Sequence, residues 1–163
     1  MNISLRTLDK SLKLFLITYI SVVTIGVSTG LVFLRHTTSF TPKGAIERFR
    51  GNIENSDNNF DMVENYPKPI SEMLITTHNH ILGLAFIFFS IGLIFYFNSI
   101  VNLKWKLFLM IEPLISLIIS FGSIWLMRFV SEYFVYITVI SAILMYLSFY
   151  IMVVISLYDL KKE

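Results

Sequence analysis

The chain of 163 residues contains no cysteine. Disulfides, thiolate nucleophiles, iron–sulfur clusters, c-type haem attachment and cysteine-based zinc sites are therefore excluded together. Charge is nearly as scarce: Asp, Glu, Lys and Arg make up 15% of the residues, against roughly 25% in an average soluble domain. The formal balance is only +2, which provides no strong steering field and no footprint for nucleic acid. A Ser-His-Asp order, a phosphate-cradling glycine loop and a His-Glu-x-x-His pattern are all missing, which argues against soluble-type hydrolysis and phosphoryl transfer. Any bound metal or cofactor must then be held by Met, Tyr, carboxylates or the three histidines.

Hydrophobic residues fill the space that charge leaves, at 55% of the chain with a mean hydropathy of +0.71. The charges that remain punctuate four apolar runs: Leu14–Leu34, Met73–Phe97, Leu107–Met127 and Tyr133–Tyr158. Each is long enough to cross a hydrocarbon core about 30 Å thick. The expected fold is an all-α membrane protein, a single four-transmembrane-helix bundle over residues 1–163. The first run follows a basic segment, yet it is too long for a signal-peptide core and no Ala-x-Ala-like site follows it, so an uncleaved helix is expected.

Basic residues in short flanks set the orientation. Arg6, Lys10, Lys13, Lys104, Lys106, Lys161 and Lys162 all fall on one side of a four-span bundle. The long connection 35–72 holds five basic and six acidic residues, and the last connection only Arg128. Both termini are predicted cytoplasmic, with 35–72 as an external loop. Within that loop Thr41 as N-cap and Pro42 at the first helical position predict a short helix. Asn52–Asn65 is polar, acidic and expected to be irregular, and Ser71 is the expected cap of the second span.

Helices in lipid associate through small residues and interhelical hydrogen bonds. The expected inward stripes are Ser21, Thr24 and Ser28 beside Gly26-x-x-x-Gly30; Thr76, His80, Gly83, Ile87 and Ser90; Glu112, Ser116, Ser120 and Ser123; and Thr138, Ser141, Met145, Ser148 and Met152. Glu112, just before Pro113, reads first as a structural group that snorkels or pairs with Lys10 or Lys13, and second as a proton- or quinone-facing carboxylate. Arg128 and Glu132 read as an ion pair across the last turn, among interfacial aromatics such as Trp125 and Tyr133.

All three histidines fall near the predicted external surface: His36 after the first span, His78 and His80 at the start of the second. Imidazoles at that depth must be solvated, paired or ligated. A haem b needs one imidazole from each side, small residues under the ring and cations for its propionates. His36 with His80 supplies an axial pair, with His78 as substitute, and Arg35 and Arg128 meet the propionates. A copper, iron or zinc ion on the same histidines, completed by Glu72 or Glu132, is the alternative, and interfacial histidines bound only to water and headgroups need no cofactor at all.

The run Thr77-His78-Asn79-His80, with Phe40-Thr41-Pro42-Lys43-Gly44 and Phe49-Arg50-Gly51-Asn52 upstream, resembles a group of small bacterial inner-membrane proteins over most of the chain. That resemblance implies a four-helix membrane protein and no particular activity. The arrangement is also similar to small b-type cytochrome membrane subunits, which implies haem b and electron transfer. The expected function is thus a haem- or metal-bearing electron-transfer subunit, exchanging electrons with quinone or a periplasmic redox partner. The contrasting reading is an accessory subunit that docks other membrane subunits; neither is an independent enzyme, and an independent transporter is a remote third.

Overall fold

The computed structural model describes residues 4–51 and 66–162. It contains a short 3-10 turn, Leu5–Thr7, and five helices: α1 (Lys10–Thr38), α2 (Pro42–Arg50), α3 (Ile70–Tyr96), α4 (Leu103–Phe129) and α5 (Phe134–Lys161). The four long helices are apolar enough to cross a membrane, and each matches one expected span with an extra turn or so at one or both ends. At 27–29 residues they reach about 40 Å at 1.5 Å per residue, hydrocarbon core plus part of both headgroup layers.

Local chemistry sets the ends. Asp9 and Asn102 accept hydrogen bonds from Leu12 and Trp105 backbone N–H groups at the starts of α1 and α4. Helix α3 begins otherwise than expected: Pro69 is its N-cap, without a side-chain bond, and Ser71 already lies inside the first turn. Proline's fixed φ and the stiff Tyr66–Pro69 approach start the helix two residues early. Pro113 lies inside α4 and does not end it. The irregular segment expected over Asn52–Asn65 lies outside the described residues.

The core is a tight α3–α4–α5 unit, with α1 laid against it. Helices α4 and α5 meet through the expected hydroxyl ladder. Ser120 and Ser141 are hydrogen-bonded at 2.7 Å, as are Ser123 and Thr138, and the small side chains let the two backbones approach closely. Phe88 and Phe149, both buried, fill the adjoining layer with ring centroids 6.1 Å apart. On α3 the buried face is Met73, Phe88, Ile91, Gly92 and Phe95; of the expected stripe, Ile87 packs against the core and Ser90 meets α1. His80 and Gly83 face outward, and a side chain on Gly83 would meet nothing within 4 Å. Lipid does not penalise a small outward residue, so the bulk needed to fill the core decides which face turns in.

Helix α1 is the least embedded. Only 11% of its most apolar stretch is buried, against 33% for α4 and α5. Ile20 and Val27 face the bundle, Tyr19 donates to Ser90 Oγ at 2.6 Å, and Ser28 bonds the Tyr150 hydroxyl at 2.8 Å. Gly26 and Gly30, expected as packing contacts, face open space.

The end carrying both termini is closed by a buried latch that the sequence reading did not anticipate. Asp159 on α5 is fully buried. It takes Arg6 Nε at 2.6 Å and the Ser99 backbone N–H at 2.7 Å, joining the N-terminal turn, the α3–α4 connection and the last turn of α5. The Leu5 N–H donates to the Phe97 carbonyl, and Lys13 Nζ to the Lys162 carbonyl.

Candidate functional site

At the opposite end, α1 turns into α2 through an elbow at Ser39 and Phe40, both left-handed with φ of 51° and 53°. Such backbone is unfavourable for residues with a side chain, by about 1–2 kcal/mol each. Thr38, buried, holds it: its hydroxyl donates to the Leu34 carbonyl, and its own carbonyl accepts from the Thr41 N–H and hydroxyl. Thr41 then caps α2 by accepting from the Gly44 N–H at 3.0 Å, with Pro42 following as expected. Gly44 presses on the Thr38 carbonyl so closely that a Cβ would collide with it. This brings α2 back over the bundle, where Arg50 reaches the Met127 carbonyl at 3.5 Å and the Lys68 N–H reaches the Phe49 carbonyl at 3.1 Å.

The result is a cleft of about 580 Å³ between the end of α1, α2 and the Tyr66–Glu72 approach to α3, with His36, Glu47, Arg48, Tyr66, Lys68 and Glu72 on its walls. Arg48 lies over the Phe33 ring at 5.0 Å and near the Phe49 ring at 5.8 Å, and Lys68 is 5.8 Å from the Phe49 ring. Burial pushes the Arg48 guanidinium below its ordinary pKa by desolvation, but guanidinium stays charged at any physiological pH. Its Nη1 is buried without a hydrogen-bond partner among the described residues. Among the described residues the two carboxylates have only light partners: Glu47 with Lys43 at 3.8 Å and Glu72 with Lys68 at 3.5 Å, each pair four residues apart.

The expected site residues are distributed over several faces. His36 lines the cleft. Arg35, His78 and His80 are exposed and outside it. His80 Nδ1 is 2.8 Å from the Thr76 carbonyl and the ring lies 5.5 Å from Phe121. A carbonyl only accepts, so Nδ1 carries the proton and Nε2 is left as the acceptor. Arg128 does not pair with Glu132 as expected; it donates to the Lys68 carbonyl at 3.4 Å and lies over the Phe129 ring at 4.9 Å. Among the described residues no three His, Asp or Glu side chains come together at metal-binding spacing. Glu112 pairs with neither Lys10 nor Lys13; one oxygen accepts from the Ser116 hydroxyl at 2.5 Å.

Arg48, Lys68 and Glu47 are the cleft residues that the sequence reading missed. The available signal was weak: a guanidinium on a short capped helix, flanked by aromatics at Phe33 and Phe49. Chemically, the cleft offers fixed cations, two carboxylates and an imidazole. Such a lining can meet charged groups of either sign.

No curated protein and no solved structure matches the chain. A protein family described as a transmembrane helical domain, Aq_1264_TM, matches residues 39–163. That stretch takes in α2 to α5, the hydroxyl ladder and the cleft walls other than the end of α1, and with most of its length matched the chain belongs to that family.

Proposed function

We propose that the chain is a non-catalytic subunit of a larger membrane assembly, seated in a bacterial inner membrane with both termini cytoplasmic and the cleft outside. The observation that carries this reading is α1. A helix that crosses the membrane yet buries so little of itself, and turns Gly26, Thr29 and Gly30 outward, has the small-residue surface on which membrane helices pair. The basic flanks at the terminal end support the orientation. Because the chain has no cysteine, single variants such as Thr29→Cys and Val32→Cys report neighbours without background. Cross-linking in native membranes is expected to join them to a second polypeptide of defined mass. Recovery of the uncross-linked chain alone at every α1 position would refute the assembly.

The second reading, a haem b or His-ligated metal subunit in electron transfer, is supported by His80. Its Nδ1–H is fixed on a backbone carbonyl, which is how ligating imidazoles are oriented, and the residue is exposed on the surface of α3. A centre held there lies between this chain and a neighbour. A visible spectrum of the purified protein, oxidised and dithionite-reduced, tests it: the reading expects an alpha band lost in His80→Ala, and a colourless, metal-free protein removes it.

A further inference from the structure

We propose that the cleft between α1, α2 and the start of α3 is a headgroup site for a zwitterionic phospholipid of the phosphoethanolamine class. Arg48 provides the anchor. Its guanidinium is held beside two phenyl rings, Phe33 and Phe49, and Nη1 has no hydrogen-bond partner among the described residues. A planar fork of donors in this setting matches two oxygens of a phosphodiester. Lys68, from the opposite wall, brings a second cation to the Phe49 ring.

The other walls decide which phosphate ester fits. Glu47 and Glu72 line the same cleft. Each is tied only to a lysine one turn away on the same helix or its approach, the kind of partly exposed pair that exchanges readily. They repel a second negative charge and accept an ammonium group. Among the lining residues Arg48 and Lys68 stand against Glu47 and Glu72, so the complementary ligand has separated charges of both signs. A glycerol-type anionic headgroup leaves the carboxylates facing nothing.

Depth points to a lipid rather than to a soluble ester. The cleft is built from the last turn of α1 and the residues leading into α3, where the membrane-spanning helices end. Phe33, 58% exposed, and Phe40, 57% exposed, provide apolar surface beside it for the glycerol and the first methylenes of a lipid chain.

The full-length protein in detergent is titrated with phosphatidylethanolamine, with phosphatidylglycerol and with water-soluble phosphoethanolamine, and bound lipid is counted by native mass spectrometry. Phosphatidylethanolamine is expected to bind one per chain and ahead of phosphatidylglycerol. Arg48→Gln should weaken it by roughly tenfold or more, the loss of a charge-assisted bidentate contact. The double variant Glu47→Gln, Glu72→Gln, at side chains 32% and 59% exposed, should reverse the preference towards phosphatidylglycerol. Equal or tighter binding of phosphatidylglycerol by the unaltered protein overturns the proposal. So does undiminished binding by Arg48→Gln, or an unchanged preference in the double variant. Displacement of the lipid by free phosphoethanolamine at equal concentration assigns the site to a soluble ester and overturns the lipid reading.

Discussion

Replacing Arg6 should damage the fold more than replacing its partner Asp159, although both substitutions remove the same ion pair. Asp159 is fully buried, whereas the Arg6 side chain is 36% exposed. In Arg6→Met the carboxylate stays inside with only the Ser99 N–H, at the C-terminal turn of α5, where the helix dipole disfavours negative charge. Stranding a buried charge costs about 3–5 kcal/mol. In Asp159→Leu the guanidinium turns to water, and the loss is the charge-assisted hydrogen bonding, about 1.5–3 kcal/mol. The double variant Arg6→Met, Asp159→Leu removes both charges and should recover to within ~1 kcal/mol of the parent, because replacing a whole buried pair by apolar groups is close to neutral. The assay is equilibrium unfolding in mixed micelles, followed by the fluorescence of Trp105 and Trp125; Trp125 donates to the Thr77 hydroxyl at 3.0 Å and reports the packing of α4 on α3. The expected coupling is at least about 2 kcal/mol. Two findings refute the reasoning: Asp159→Leu proving as harmful as Arg6→Met, or losses that simply add in the double variant.

The other expectations concern the ladder, the elbow and α1. Ser120→Ala should cost only about 0.6 kcal/mol, the usual value for an interhelical bond in a membrane, since the Ser141 hydroxyl keeps the Ile137 carbonyl at 2.8 Å; Ser120→Leu should cost about 1–3 kcal/mol by forcing α4 from α5, and thermal unfolding separates the two. Gly44→Ala drives a methyl group into the Thr38 carbonyl and should lift α2, read as faster tryptic cleavage after Arg48 and Arg50. Gly30→Ala meets nothing within 4 Å and should leave the isolated chain as stable or up to ~1 kcal/mol more stable through helix propensity. Thr41→Ala should weaken α2 by about 1 kcal/mol and Thr41→Ser hardly at all, with the same proteolysis as readout.

How much of this was readable before the fold was known depends on the range of the interaction. The four spans stand out because apolar runs between charges are long and uninterrupted, and Thr41-Pro42 announces α2 because a cap and a fixed φ act within one turn. The Ser120–Ser141 and Ser123–Thr138 contacts were foreseen as faces, since spacing alone aligns them. The face of α3 was not. Thr76, His80 and Gly83 form a plausible inward stripe by polarity, but Phe88 and Phe95 win the interior by volume, and polarity is a poor guide where the solvent is lipid. Asp159 was missed because an acid near the end of a span looks like an ordinary flank. The useful signal is its position in the last helical turn, where lysine is favoured and a carboxylate needs a partner. Of the cleft, His36 and Glu72 were visible as candidate ligands. Arg48 and Lys68 join them only after the Ser39–Phe40 elbow folds α2 back, a geometry that neither residue type announces.

The two ends of the bundle are built differently, and the contrast bears on the proposed headgroup site. At the terminal end the latch groups are satisfied: Asp159 has both its oxygens engaged, and Asn98, buried, bonds three backbone groups, although Glu112 Oε2 and Ser156 Oγ in that half are buried without a partner among the described residues. At the loop end the chain holds two non-glycine residues in left-handed backbone, a guanidinium nitrogen without a partner among the described residues and carboxylates in exposed single pairs. Departures from local consistency collect where a protein acts on something outside itself. A fold needing only to fill the membrane gains nothing from desolvating Arg48 between phenyl rings; an apolar residue there satisfies the same packing without the desolvation penalty. The left-handed elbow and the unpartnered guanidinium are what support the proposed headgroup site at the loop end, and the latch at the other end ties together the elements that carry it.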